Sequence, residues 1–225
     1  MAMKNLVVAI DGPAGAGKSS VAKKVAEQLG LDYLDTGAIY RALAFYLNTM
    51  GFEAKEEPAL MEVLSKIKVS LSDGCVYING ADVTEHIRSP WVDSIVSAYA
   101  ALPTVRRCLL SIQSEQAEES GLVADGRDMG TVVFPEAAVK IFLTATDEVR
   151  AKRRHLQLID RGEHVSFEEV LRQIRTRDQF DSTRKVAPLR KAEDSIVVDT
   201  SSMTENEVVA YLIKIVKEHN KQVAL

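Results

Sequence analysis

Residues Gly12-Pro13-Ala14-Gly15-Ala16-Gly17-Lys18-Ser19 fit the pattern G-x-x-x-x-G-K-[ST] at every fixed position. A loop of this kind holds phosphate. Its glycines let backbone N–H groups turn inward around a polyphosphate. The N-terminus of the helix that follows adds partial positive charge. Lys18 can reach the outer phosphates, and the Ser19 hydroxyl can ligate Mg²⁺. Gly12, Pro13, Ala14, Gly15, Ala16, Gly17, Lys18, Ser19 and Ser20 are therefore the expected nucleotide-binding residues.

Two further clusters carry charge at positions that could face such a loop. One is Asp35-Thr36-Gly37-Ala38-Ile39-Tyr40-Arg41, where Thr36 could cap a helix or hold a ligand. The other is Asp125-Gly126-Arg127-Asp128, where glycine permits close backbone approach and Arg127 would reach into a cleft. Asp125 or Asp128 could hold water on Mg²⁺ or accept from a base. Arg150, Arg153 and Arg154 crowd one stretch of helix, and Arg177, Asp181 and Arg184 follow at spacings of four and three. Phosphoryl transfer is catalysed mainly by positioning and by positive charge. A mobile segment rich in arginine would supply both and exclude water.

These residues need a frame. Five apolar runs read as core strands: Leu6–Asp11, Asp32–Asp35, Gly121–Asp125, Val139–Leu143 and Ser195–Asp199. Helical patterns lie between them, which predicts an α/β fold with a five-stranded parallel sheet and helices on both faces. Asp11, Asp35 and Asp125 close three of the runs, and ligands in such sheets bind beyond the carboxyl ends of the strands. The long stretch between the second and third strands holds expected helices at Ile39–Met50, Pro58–Ile67, Pro90–Ala101 and Pro103–Ser120. It also holds a small three-stranded antiparallel sheet turning at Asp73-Gly74 and Asn79-Gly80. Thr146–Ile159 and Ser166–Asp178 read as a helical pair around Arg161-Gly162, with the outline of a lid, and Thr204–Asn220 as a last packing helix.

Bulk properties fit a soluble globular protein. The 225 residues are 46% hydrophobic and 27% charged, with a net charge of −4. That balance argues against a nucleic-acid or membrane-surface partner, although residues 144–191 are locally basic. Cys75 and Cys108 form no disulfide framework, and the four histidines show no metal spacing. No apolar stretch approaches the ~18 residues of a membrane span, and a cytoplasmic monomer is expected.

Taken together, Asp11–Lys18, Asp35–Arg41, Asp125–Val133 and Val186-Ala187-Pro188-Leu189 resemble the bacterial cytidylate kinase family across essentially the whole chain. The resemblance implies a P-loop nucleoside monophosphate kinase that moves the γ-phosphoryl group of ATP to CMP or dCMP. It implies one kinase domain, with a core at 1–35, 121–145 and 180–225. A monophosphate-binding region would span 36–120, carrying the β insertion at about 67–85, and an α-helical lid 146–179. Arg41 and Arg127 would hold the acceptor phosphate. Thr36, Ser97, Arg106, Asp128 and Arg184 would form the cytosine pocket. Arg177 and Asp181 would bind the sugar. Lys18, Arg127 and the lid residue Arg153 would be catalytic. Serine also occurs at the Thr36 position in the family. Read from the residues alone, a kinase for UMP, dTMP or a small metabolite remains open, as does a nucleotide-hydrolysing switch. The switch lacks support from an Asn-Lys-x-Asp base-reading block.

Overall fold

The apolar run before the glycine loop becomes β1 (Val7–Asp11), with Val8, Ala9 and Ile10 fully buried. A strand apolar on both faces belongs inside a parallel sheet covered by helices. The computed structural model describes residues 6–72, 74–115 and 121–223, and β1 holds that central place in it. Its neighbours are β6 (Leu122–Gly126) and β7 (Val139–Thr144), with β2 (Asp32–Asp35) and β8 (Ile196–Asp199) outside them. The order is β2-β6-β1-β7-β8, and all neighbours are parallel. Each strand matches the sequence expectation to within a residue at either end. Register places Asp35 beside Asp125 and Asp11 beside Gly126, so three acids meet at one edge of the sheet.

Helices α1 (Lys18–Leu29) and α8 (Glu205–Val223) cover one face, packing Val21, Ala22 and Val25 with Val208, Leu212 and Val216. The other face is covered by α2 (Thr36–Thr49), α4 (Pro90–Ala100) and α5 (Pro103–Glu115), through Leu43, Leu47, Val96, Val105 and Leu109. The same core takes in α3 (Pro58–Leu64) and an antiparallel sheet of β3 (Val69–Ser72), β4 (Cys75–Ile78) and β5 (Ala81–Asp82). Val76 and Ile78 alternate inward from β4 onto it. A small separate core of Ala151, Leu158, Val170 and Ile174 joins α6 (Asp147–Asp160) to α7 (Phe167–Thr183).

Several boundaries differ from expectation, each for a local reason. Helix α2 begins at Thr36 rather than Ile39, because the Asp35 side chain accepts the Ala38 N–H at 2.8 Å and caps the first turn. Thr36 is thus inside the helix and is not its cap. Helix α7 runs to Thr183, past the expected end at Asp178 and past the 179 boundary drawn between lid and core. No glycine or proline interrupts that stretch until Pro188. Asp73 and the last part of the helix expected to reach Ser120 lie outside the described residues. A single π turn at Met129–Val133 follows β6 and has no signature in the sequence.

Candidate active site

The glycine loop is built by close approach. A Cβ on Gly12 would lie 2.0 Å from the Leu143 carbonyl oxygen, and its φ of +152° is one that L side chains rarely adopt. Lys18 is buried and donates to the Pro13 carbonyl at 2.7 Å. Burial, and then the Arg127 guanidinium, pull its pKa well below that of an ordinary lysine. An arriving phosphate is the anion this ammonium lacks. Ser20 is exposed and its hydroxyl turns back to the Gly17 carbonyl at 3.1 Å.

Behind the loop, Ser19 Oγ donates to Asp125 Oδ2 at 2.9 Å, and Tyr33 Oη donates to Oδ1 at 2.8 Å. Burial, and then the nearby Asp35 carboxylate, push Asp125 up to about 6. A hydroxyl and a buried carboxylate form an all-oxygen pair that fits a hard cation such as Mg²⁺. Asp11 is buried too, and accepts from the N–H groups of Met129 and Gly130 at 2.7 and 2.8 Å. It anchors the π turn, a local widening often found at functional sites. The Thr36 hydroxyl donates to the Asp125 carbonyl at 2.7 Å. A Cβ on Gly126 would stand 2.8 Å from that hydroxyl oxygen, so glycine is what allows this approach.

A second charged cluster lies at the end of β6. Asp128 is buried between Arg106, which donates to Oδ2, and Arg184, whose Nη2 lies 3.7 Å from Oδ1. Arg106 also donates to the Ala100 carbonyl and stacks over the Tyr40 ring at 5.3 Å. Arg184 Nε is held at 2.7 Å by the carbonyl of Ala187, a residue in the left-handed region at φ 47°. Beside it Arg127 Nε donates to Asp181 Oδ2 at 3.0 Å. Ser97 is half-buried on α4.

A third group centres on Asp93 of α4, which receives Arg41 Nε at 3.0 Å and Arg154, with Arg177 Nη1 at 4.0 Å. Burial, then Arg127 and Arg41, pull Arg177 down to about 10. Arg177 Nε and Arg184 Nη2 are buried with no hydrogen-bond partner. Buried donors of this kind call for an acceptor that the protein itself does not supply.

The arginines of α6 depart from expectation. Arg150, Arg153 and Arg154, expected on a mobile segment rich in arginine, each already have partners. Arg150 is buried among the Ala145 and Ala14 carbonyls and the Asp147 and Asp178 carboxylates. Arg154 bonds Asp93. Arg153 donates to the Thr200 hydroxyl and carbonyl at 3.0 and 2.7 Å and is not brought into the Asp93 group. Tyr33, Asp93 and Asp178 were missed by the sequence reading. Asp93 had one usable signal, as a lone acid in the apolar helix Pro90–Ala100. Tyr33 and Asp178 meet their partners only through the fold.

The chain matches the cytidylate kinase family model over residues 8–218. It is 49% identical over 211 residues to cytidylate kinase of Fervidobacterium nodosum, covering 94% of this chain and 96% of that protein. It is 48% identical over 223 residues to that of Shouchella clausii, covering 97% and 99%. Among solved structures, an uncharacterized protein from Eubacterium ventriosum aligns with a TM-score of 0.54 at 15% identity, over 96% of this chain and 99% of its own; this likeness concerns the fold alone. Nearly half the sequence is shared with these relatives over almost its full length, and the chain belongs to the cytidylate kinase family.

Proposed function

We propose that this chain transfers the γ-phosphoryl group of ATP to CMP or dCMP, giving ADP and CDP or dCDP. A phosphate oxygen of the acceptor attacks the γ-phosphorus while the bond to the β–γ bridging oxygen breaks. Such a reaction asks the protein for alignment and charge neutralisation rather than covalent chemistry. The observation that carries the reading is the buried Arg106-Asp128-Arg184 cluster beside the glycine loop. Cytosine offers an N4 amino donor with N3 and O2 acceptors, and a carboxylate flanked by guanidiniums matches that edge.

In this reading Thr36 and Ser97 complete the base pocket, Arg41 and Arg127 hold the acceptor phosphate, and Arg177 and Asp181 hold the sugar. Lys18 and the loop N–H groups cradle the β- and γ-phosphates. Ser19 and Asp125 would hold Mg²⁺, which when bound neutralises charge on those phosphates. Arg153 would reach the transferring group only by leaving the Thr200 turn, so Arg154 is the better-placed lid arginine. Support for these roles is geometric: the unpartnered donors of Arg177 and Arg184 belong to the same clusters.

The test is an initial-rate comparison of CMP, dCMP, UMP and dTMP with ATP and Mg²⁺. CMP and dCMP should exceed UMP and dTMP in kcat/KM by at least tenfold, about 1.4 kcal/mol of discrimination. UMP or dTMP matching CMP would overturn the base assignment.

A further inference from the structure

Asp93 stands out among the described residues of α4. The helix is otherwise rich in apolar residues, yet this acid points at three arginines from three other helices. Arg41 comes from α2, Arg154 from α6 and Arg177 from α7. Its side chain is only 20% exposed. Burial raises its pKa, but Arg41, Arg177 and Arg154 outweigh that and hold it below the ordinary carboxylate value. One carboxylate cannot neutralise three guanidiniums, and Arg177 Nε is still without an acceptor. Asp35 beside Arg41 and Asp181 beside Arg177 add negative charge around the cluster, and the Arg177 Nε–H is the donor left for an incoming anion. Two oxygens that gather converging guanidinium N–H groups offer what two phosphate oxygens offer.

We infer that Asp93 is an internal substitute for the acceptor's phosphate. It gathers Arg41, Arg154 and Arg177 in the free protein and gives them up when the phosphate of the acceptor arrives. This rests on the reading of Arg41 and Arg177 as acceptor-binding residues. Asp93 is a positioning residue, because it acts through the arginines and touches no reacting atom. Two consequences follow from charge alone. The arginines stay assembled although like charges would otherwise drive them apart. The acceptor must also outcompete a carboxylate, so a nucleoside with no phosphate gains nothing from the site.

The test is Asp93→Asn, which keeps shape and removes charge, and it uses binding as well as activity. Thermal unfolding of the free variant should occur at lower temperature than that of the parent. Its Kd for CMP, by titration calorimetry, should fall five- to tenfold, while cytidine binding stays unchanged. Inorganic phosphate should raise the variant's Tm more than the parent's. Weaker or unaltered CMP binding with no extra response to phosphate would overturn the inference, and would make Asp93 an ordinary ion-pair partner or a support of the bound state. Asp93→Ser gives the same readouts if the amide variant does not fold. Failure of the parent to bind CMP at all would instead dismiss the proposed function, and the phosphate arm would still decide the role of Asp93.

Discussion

Asp125 shows how much chemistry one buried carboxylate gathers here. It receives hydroxyls from Ser19 and Tyr33, lends its carbonyl to Thr36, and lies level with Asp35 across the sheet. Its pKa rises from 3.8 to about 6, mainly through burial and then through Asp35. A carboxyl whose folded pKa is raised favours folding most below its unfolded value, and that contribution is lost as pH climbs through about 6. The free protein should therefore lose stability between about pH 4 and pH 6 from this group. Asp125→Asn removes the effect, so the variant's Tm relative to the parent should be more favourable at pH 7.5 than at pH 4.5. The difference should be on the order of 1–3 kcal/mol. Paired thermal melts at the two pH values measure it, and a gap that stays constant with pH would refute the assignment.

At the scale of elements, the α6–α7 hairpin is fastened to the loop it faces. Arg150 donates to the Ala14 carbonyl at 2.8 Å, while Asp178 accepts the Ala14 N–H at 3.2 Å. Residues from both helices thus grip both backbone polar groups of one residue in the glycine loop. Arg150→Met keeps the stem but strands those acceptors, and breaking a buried pair of this type costs about 3 kcal/mol or more. The urea midpoint should drop accordingly and KM for ATP should rise. A loss below about 1 kcal/mol would mean the contacts behave as exposed ion pairs do. None of this was legible beforehand, because Arg150 and its partners are joined by the fold and not by spacing. What could be read were features with local signatures. The strands are apolar runs with sharp ends, and Gly12, Gly17 and Lys18 sit at spacings the phosphate loop demands. Arg106, Asp128 and Arg184 were grouped through the family resemblance, and the structure brings them together. The partners of Arg153 and Arg154 could not be foreseen, because Thr200 and Asp93 lie far away in sequence.

Across the molecule, the apolar residues among those described divide into two large cores against the sheet and one small core within the hairpin. Local opening follows the least buried unit. Amide exchange over residues 145–166 should therefore be faster than over β1, β6 and β7 in the free protein. ATP with CMP should slow that segment most, by adding anions between hairpin and sheet. Exchange that is equal with and without the nucleotides would rule out the segment as a lid.

The central strand also dictates the order in which the chain can be assembled. β1 is translated well before the strands on either side of it, for Val7 pairs with Leu122, and Val8 pairs with Val123 and Val139. The first flank, β6, comes more than a hundred residues later, and the second does not exist until β7 has been translated. Meanwhile the residues of α2 to α5 can close upon one another at shorter range. One edge of this buried strand must therefore wait unpaired, the state in which nascent chains are prone to aggregate. A chain that stops before Val139 carries the whole phosphate loop on only the β2-β6-β1 half of the sheet, with the other edge of β1 unpaired.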